Sequence, residues 1–249
     1  MFLNVTMEEG IARAELARGK VNAINEAVVD EMEACFRGLA ADPAVRAVIL
    51  TGRGKFFTFG FDIPEFLHYA REDFIRYLTK FTGLYTALFV FPKPLVAALN
   101  GHTIAGGCML SLSCDWRVMV SGKSRIALNE IDFGASLFAG SVEMMRFQAG
   151  SANAEKAVLS GRMYAPEEAF ELGIVSEVVS EADLEMRARA KALEMASKDP
   201  AAFRSIKLLS RKDTAETMKR KERDSILEFV EIWYSENTWS RLQDKKIHS

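Results

Sequence analysis

The chain has 249 residues, 49% of them hydrophobic and 27% charged, a composition typical of one large globular domain. Its formal net charge of -2 excludes the general positive field that recruits nucleic acid or an anionic membrane. No apolar run approaches the ~18 residues that a membrane-spanning helix needs, and the first residues do not resemble a secretory signal. We therefore expect a cytoplasmic protein whose cysteines, Cys35, Cys108 and Cys114, are free thiols.

Short apolar strands alternate with amphipathic helices along the first 182 residues. Period-two alternation predicts strands, and apolar positions at helical spacing predict helices. The predicted elements of the first half are a hairpin at 2–16, a helix at 25–39, a buried strand at 45–51, a helix at 74–90 and a buried strand at 94–100. Those that follow are a helix at 106–114, strands around 116–120 and 125–128, a helix from about 142 and a helix at 165–172.

The remainder of the chain, after about residue 182, has the pattern of helices throughout. It contains runs of charge such as residues 219–224, and we interpret the stretch at 212–221 as a solvated helix face. Strands that alternate with helices are typical of the α/β class. The sequence therefore predicts an α/β fold with a helical C-terminal tail.

Two glycine-containing turns follow buried strands, and each leads into a helix. The first spans residues 55–63 around Gly60, and the second spans residues 100–108 around Gly106 and Gly107. Glycine lets a backbone approach a ligand closely, and a helix N-terminus presents unpaired N–H groups. Two such turns that converge would direct two N–H donors at one oxygen, as in an oxyanion hole. Ordinary strand–helix connections explain the same glycines.

Four segments of the chain carry longer motifs of fixed spacing. They are VNAINEAVVDEM at 21–32, KFFTFGFDIPEF at 55–66, NGHTIAGGCMLSLSCDWRV at 100–118 and AEKAVLSGRMYAPEEAFELGIVSEVV at 154–179. These segments resemble, in the same order, the motifs of the crotonase superfamily of enoyl-CoA hydratases and isomerases. Because the resemblance covers most of residues 1–180, the chain is identified as a member of that superfamily.

The resemblance implies the architecture, the ligand and the assembly. It implies a crotonase-like spiral of β-β-α repeats over residues 1–195 and a C-terminal helical region at 196–249 that builds trimers or hexamers. It also implies an acyl-CoA thioester of fatty acid metabolism as the ligand. Coenzyme A would enter as part of the substrate, with no permanently bound cofactor. We expect no metal, nucleic acid or membrane partner.

The resemblance also implies which residues form the oxyanion hole. Carried over by position, the two N–H donors are Phe61, which follows Gly60, and Gly106, the middle position of the family's three consecutive glycines. Ala105 stands at the first of those glycine positions. This departure keeps the donor and narrows the space beside it.

The acid–base residues distinguish the reactions of the family. Family hydratases use two glutamates, and the corresponding positions here are Met109 and Glu130. A methionine cannot move a proton, so the pattern is closer to that of the Δ3,Δ2-enoyl-CoA isomerases, which need one glutamate. Glu130 would take a proton from C2 and return it to C4. Glu143 is a possible second carboxylate, although a first-turn helix position explains it as well.

Several residues near the motifs have two open interpretations. Phe59, Phe66 and Phe138 either line an acyl pocket or fill the core. Arg18 and Lys20 lie near the place where family members put basic groups beside the CoA phosphates, and a solvated surface is the alternative.

Other functions on the same scaffold are enoyl-CoA hydration and acyl-CoA thioester hydrolysis. A few superfamily members bind RNA through a lysine-rich helix, but acidic residues interrupt the corresponding stretch at 212–221. A non-catalytic assembly protein is a further alternative. The intact Gly60, Gly106 and Glu130 argue against it.

Overall fold

The computed structural model describes residues 1–244, whose strands form two sheets. In chain order the strands are β1 (Leu3–Glu8), β2 (Ile11–Leu16), β3 (Ala47–Gly52), β4 (Phe56–Thr58), β5 (Leu95–Leu99), β6 (His102–Ile104), β7 (Trp116–Val120), β8 (Ile126–Ala127) and β9 (Glu177–Val179). The larger sheet has the order β1-β2-β3-β5-β7-β9 and is parallel except for the β1–β2 hairpin. The smaller sheet has the order β4-β6-β8 and is parallel.

The helices cover both faces of the larger sheet. In chain order they are α1 (Glu26–Ala41), α2 (Ile63–Phe66), α3 (Arg71–Phe89), α4 (Gly106–Ser113), α5 (Ala139–Ala149), α6 (Ser151–Ser160), α7 (Pro166–Glu171), α8 (Leu184–Ala196), α9 (Pro200–Trp233) and α10 (Glu236–Asp244). Short 3-10 helices lie at Glu130–Phe133 and Glu181–Asp183.

The core of the fold is a repeated β-β-α unit. Each unit has one strand in the larger sheet, a second in the smaller sheet, and then a helix. The units are β3-β4 followed by α2 and α3, β5-β6 followed by α4, and β7-β8 followed by the 3-10 helix and α5. This arrangement confirms the predicted α/β spiral of β-β-α repeats.

The inner strands of the larger sheet, β3, β5 and β7, are buried on both faces, which explains why they read as continuous apolar runs. In β3, Val48 and Leu50 contact the main core, whereas Ala47 and Ile49 belong to a second apolar cluster. That second cluster includes Ala188 and other residues of α8. Successive side chains of a strand point to opposite faces, so both layers form from the same short strands.

The predicted elements are confirmed to within three residues at their ends, but the structure contains strands that the sequence did not predict. β4 and β6 lie inside the two segments that we interpreted as glycine turns. Each strand has only three residues, which is too short to show a period-two pattern. The turns themselves are therefore shorter than predicted, and each joins a strand of the smaller sheet to a helix.

The C-terminal helices pack against the body of the chain. The long helix α9 contacts α3 and α5, and the predicted boundary at residue 195 falls at the end of α8. Lys207 and Arg211 of α9 form buried ion pairs with Asp115, at 2.8 and 3.1 Å. The role of this region in oligomerisation stays a prediction. Within residues 1–244 no helix combines the length and apolarity needed to cross a membrane.

The charged side chains of the stretch at 212–221 are exposed, which agrees with its interpretation as a solvated helix face, whereas the carboxyl group that directly follows them is buried. Glu222 is only 9% exposed. It lies on the buried stripe of α9, whose members follow one another at helical spacing: Arg211, Ala215, Met218, Glu222, Ile226, Phe229 and Trp233.

Candidate active site

The smaller sheet brings together three segments at the carboxyl ends of its strands. Phe61 lies three residues beyond the end of β4, Gly106 two residues beyond β6, and Glu130 three residues beyond β8. Because β4, β6 and β8 are parallel neighbours in that order, their carboxyl ends meet at one edge with Gly106 in the middle. The topology thus places the three predicted catalytic positions next to one another.

The turn after β4 is held by pairing with the segment before α1. Ile24 N donates to Gly60 O at 2.8 Å, and Asp62 N donates to Ile24 O at 3.1 Å. Backbone groups alternate in direction along an extended segment, so the N–H of Phe61 points away from Ile24. Asp62 caps α2 by accepting from Glu65 N at 3.3 Å, so it braces the chain where the turn leads into that helix.

Two asparagines of the VNAIN segment bond to the backbone before and within β4 and at the start of α1, and no role was predicted for them. The buried Asn22 donates from Nδ2 to the backbone oxygens of Arg53, Phe56 and Phe57. Asn25 caps α1 by accepting from Val28 N at 3.1 Å. Side-chain amides that bond locally to the backbone are typical of turns and caps, so the two asparagines were a usable signal.

The turn after β6 lies against the turn after β4 at very short range. A Cβ atom placed on Gly60 would be 3.1 Å from Gly106 N, and the Phe61 ring would be 3.2 Å from a Cβ on Gly106. Gly106 begins α4, so its N–H has no partner within the helix. A Cβ on Gly107 would be 2.5 Å from Thr58 O, which explains why glycine occupies this position. The two candidate donors are therefore adjacent.

Ala105, at the first family glycine position, has a backbone conformation that favours glycine. Its φ is 51° and its ψ is -117°. An L side chain in such a region costs about 1–3 kcal/mol, which the surrounding structure must offset. Hydrogen bonds to neighbouring residues offset this cost, since Ala105 N donates to Ala127 O and Ala105 O accepts from Met109 N.

Replacing Ala105 with Gly is expected to raise the free energy of unfolding by about 1 kcal/mol, because relief of strain exceeds the entropy cost of a glycine. Chemical denaturation measures the change. Ala87→Gly is the control, because Ala87 is an exposed residue within α3. It should lower the free energy of unfolding by about 1 kcal/mol. Equal destabilisation by the two variants would contradict the assignment of strain.

Glu130 is a buried carboxylate beside the start of α4. It begins the 3-10 helix at Glu130–Phe133 and is 5% exposed. Burial raises the pKa of the Cys108 thiol, and the negative charge of Glu130 raises it further. Cys108 lies two residues after Gly106 on α4, so this effect places the Glu130 carboxylate close to the helix that carries the second donor.

Met109 occupies the position where a family hydratase has a glutamate, and it is fully buried on α4. Its side chain belongs to the main apolar core. Among residues 1–244, no three acidic, histidine or cysteine side chains form a group suited to holding a metal ion.

The aromatic residues near the motifs divide into two groups. Phe66 and Phe138 are fully buried, with ring centroids 5.8 and 6.2 Å from that of Phe61. Both rings pack against the Phe61 ring within the core, so core packing explains why these two positions are aromatic. Phe59 is 37% exposed and faces a cavity.

A cavity of about 250 Å³ opens beside the first donor turn. Arg18, Lys20, Phe59 and Phe61 are among its lining residues, so the two predicted basic groups lie next to the predicted donor. Arg18 is also paired with Asp62 at 2.6 Å, which ties the cavity wall to the donor turn. Arg18 and Lys20 thus share the cavity wall with the Asp62 carboxyl group and with apolar side chains, and a ligand with an anionic group and an organic tail would meet both kinds of surface there.

Glu143 does not join this group as a second carboxylate. It pairs with Arg146 at 3.3 Å and with Lys221 at 2.8 Å. These ion pairs agree with the alternative interpretation of Glu143 as a residue of a helix face.

The sequence and structure were compared with known proteins. The family model of enoyl-CoA hydratase/isomerase matches residues 6–233. The chain is 34% identical over 210 residues to carnitinyl-CoA dehydratase of Escherichia coli K12, covering 84% of this chain and 80% of that protein. It is 29% identical over 207 residues to a probable enoyl-CoA hydratase of Bacillus subtilis, covering 82% and 80%. The crystal structure of human mitochondrial delta3-delta2-enoyl-CoA isomerase superposes with a TM-score of 0.93 at 26% identity, covering 98% and 96%.

Proposed function

The chain belongs to the enoyl-CoA hydratase/isomerase family, and we propose that it is a Δ3 to Δ2 enoyl-CoA isomerase. The observation that carries the proposal is the combination of residues at the two glutamate positions of the family hydratases. One position keeps a glutamate, Glu130, and the other has a methionine, Met109. Glu130 is 5% exposed, and Met109, at the position of the second hydratase glutamate, is fully buried. One base is sufficient to shift a double bond. The likeness to the human isomerase, over 98% of this chain, supports the same choice.

The substrate would be a 3-enoyl thioester of coenzyme A, with the CoA portion brought in as part of the substrate. Its carbonyl oxygen would accept hydrogen bonds from Phe61 N–H and Gly106 N–H. The adjacent cavity, with Arg18 and Lys20 in its wall, suits the phosphates of CoA. Fixed amide donors already aligned with the developing charge need no reorganisation during the reaction, and each is worth about 3 kcal/mol.

The reaction needs no other reactant. Glu130 removes a proton from C2, and the electron pair moves into the thioester to give a dienolate whose charge rests on the carbonyl oxygen. The two amides stabilise that charge more than they stabilise the neutral thioester, which lowers the barrier. The protonated Glu130 then delivers its proton to C4, the double bond moves from C3–C4 to C2–C3, and the carboxylate is regenerated.

Hydration on the same scaffold is the second candidate, since two of the relatives are named as a hydratase and a dehydratase. Addition of water requires a group that holds and deprotonates the water in addition to the base at Glu130. The thioether of Met109 accepts hydrogen bonds only weakly and does not take up a proton. The buried Met109 therefore favours isomerisation.

We expect the purified protein to convert a trans-3-hexenoyl-CoA probe to the 2-enoyl ester at least about 100-fold faster than it hydrates crotonyl-CoA, since a missing acid–base group costs a factor of this order. Spectrophotometric assays of both reactions measure the ratio. Met109→Glu should shift the ratio toward hydration, whereas the uncharged Met109→Gln should not. Comparable wild-type rates for the two reactions would reject the isomerase proposal.

The assembly and the location belong to the same proposal. A homotrimer or a hexamer is supported by exposed apolar side chains on one surface, where Ile131 is 46% and Leu159 is 66% exposed. These two side chains line a shallow concavity together with Leu137 and Ile232. Burial of such a patch would be favourable. A cytoplasmic location is proposed on the sequence features alone.

A further inference from the structure

Helix α5 begins close to the candidate active site without a cap of its own. Its N-cap residue is Phe138, which has no side-chain acceptor to offer. The first amides of the helix instead bond to side chains of other elements. Ala139 N donates to Ser225 Oγ at 3.0 Å, and Gly140 N donates to Glu222 Oε2 at 3.0 Å. The cap is thus supplied by α9, more than 80 residues away in sequence.

Tyr85 of α3 completes the cap. Its hydroxyl donates to Glu222 Oε1 at 2.7 Å. The consecutive amides at 139 and 140 are therefore satisfied by Ser225 and Glu222, and Tyr85 in turn holds the Glu222 carboxyl group. An ionised acceptor at a helix N-terminus is favoured by the helix dipole.

The arrangement is closely fitted around the Glu222 carboxyl group. A Cβ atom on Gly140 would be 2.5 Å from Glu222 Oε2 and 2.6 Å from the Tyr85 hydroxyl, so only glycine fits there. Both carboxyl oxygens have a donor, and the side chain is buried between α3, α5 and α9. Burial raises the pKa of Glu222 to about 7, while the hydrogen bonds from Tyr85 and Gly140 act in the opposite direction.

Two routes of contact lead from this cap to the donor amides. Phe138, immediately before α5, packs on Phe61 with ring centroids 6.2 Å apart. Tyr85 packs on Phe81 at 5.5 Å, and Phe81 packs on Phe61 at 4.9 Å. The Phe81 ring would also be 3.4 Å from a Cβ on Gly106. The cap is therefore one aromatic layer behind both donors.

The C-terminal helices also hold the segment at 134–138, which connects the 3-10 helix of Glu130 to α5, at the end nearer Glu130. Thr238 of α10 donates from Oγ1 to Gly134 O at 2.7 Å, directly after the 3-10 helix that carries Glu130. Residues 134–138 are thus held by α10 at one end and by α9 at the other. The base and the aromatic wall depend on this segment for their position.

We propose that Glu222 is a positioning residue for the reaction. Its carboxyl group fixes the start of α5. It thereby fixes the Phe138 ring, which packs on Phe61, and the segment that follows Glu130. This inference rests on the proposed function. It assigns to the C-terminal helical region a role within its own subunit, beside the oligomerisation predicted for it. Glu222 does not touch the substrate and acts only through the residues that it holds.

Glu222→Leu is expected to lower kcat for isomerisation of 3-hexenoyl-CoA about 10- to 100-fold with KM changed less than about threefold, since small misplacements of reacting groups have effects of this size. Glu222→Gln, which keeps the shape and an acceptor, should recover most of the activity. Tyr85→Phe, which removes one partner, should lie between them. Glu216→Leu is the control on the same helix, because Glu216 is exposed and its ion pair with Lys212 spans 3.8 Å.

Two measurements accompany the kinetics. Hydrogen exchange should show loss of protection at amides 139–141 in Glu222→Leu and Tyr85→Phe, and not in Glu216→Leu. The near-ultraviolet band of the enolate of bound acetoacetyl-CoA reports the donor amides without any turnover. That band should weaken in Glu222→Leu and return in Glu222→Gln.

The inference would be overturned if Glu222→Leu lost protection at amides 139–141 but kept the enolate band and kcat of the wild type. A rise in KM alone would overturn it as well. Should Glu222→Leu fail to fold, Tyr85→Phe and Glu222→Gln decide the question by the same readouts. A wild-type protein without isomerase activity, but with an enolate band that depends on Glu222, would reject the proposed function and leave the positioning role standing.

Discussion

Glu130→Gln is expected to lower kcat for isomerisation by about 100- to 10,000-fold, the range reached when a general base is removed. The amide has the size and shape of the carboxyl group but cannot take up the C2 proton. Glu130 is 5% exposed, so water has little access to replace it. Binding of the CoA ester should persist because the donors, Phe61 N–H and Gly106 N–H, belong to the main chain. Stopped-flow kinetics and calorimetric titration with a saturated acyl-CoA measure the two quantities.

Asp132→Asn is the matched control for this experiment. Asp132 belongs to the same 3-10 helix, is exposed, and lies near Gly161 on the side of α6. The control should therefore keep activity within about twofold, as surface substitutions away from a site usually do. If Glu130→Gln kept a tenth or more of the wild-type rate, the base would lie elsewhere.

Gly60→Ala is expected to separate the two donor amides and to lower kcat/KM by about 100- to 1,000-fold, the usual effect of losing one oxyanion donor. The added Cβ would lie 2.9 Å from Ile104 O and 3.1 Å from Gly106 N. Backbone atoms cannot rotate away as a flexible side chain can, so the turn after β4 must move relative to the turn after β6. The positive φ of 96° adds strain, and stability should fall by about 2 kcal/mol.

Gly122→Ala isolates the conformational part of this effect. Gly122 has a φ of 95°, almost that of Gly60, but an added Cβ would meet nothing within 4 Å. Its substitution should lower stability by about 1 kcal/mol and leave kcat/KM unchanged. Thermal unfolding and steady-state kinetics of both variants distinguish strain from displacement of the donors. Normal activity in Gly60→Ala would place the substrate carbonyl away from these two turns.

Much of the site could be predicted because its residues lie in short, continuous motifs. Phe61, Gly106 and Glu130 were assigned by carrying the family's positions over onto these motifs. Their proximity follows from the parallel order β4-β6-β8, which motif spacing alone does not contain. The strands are too short to leave a period-two signal, so the smaller sheet itself was missed.

Whether a side chain faces the ligand or the core was harder to predict. Phe59, Phe66 and Phe138 had the same two interpretations in the sequence, yet the structure exposes Phe59 to the cavity and buries the other two. An aromatic residue has the same local pattern in either setting. Its environment depends on the elements that pack around it, which lie elsewhere in the chain.

The sequence by itself determined the α/β class, the order of the elements and the residues of the family motifs, because these depend on local periodicity and on conformations that glycine alone adopts readily. Only the tertiary structure decided that Glu222, within a charged run, is buried under the active site. Its partner Tyr85 is 137 residues away. Periodicity indicates which face of a helix is buried, but contacts distant in the chain decide whether a carboxyl group on that face finds the donors that make its burial tolerable.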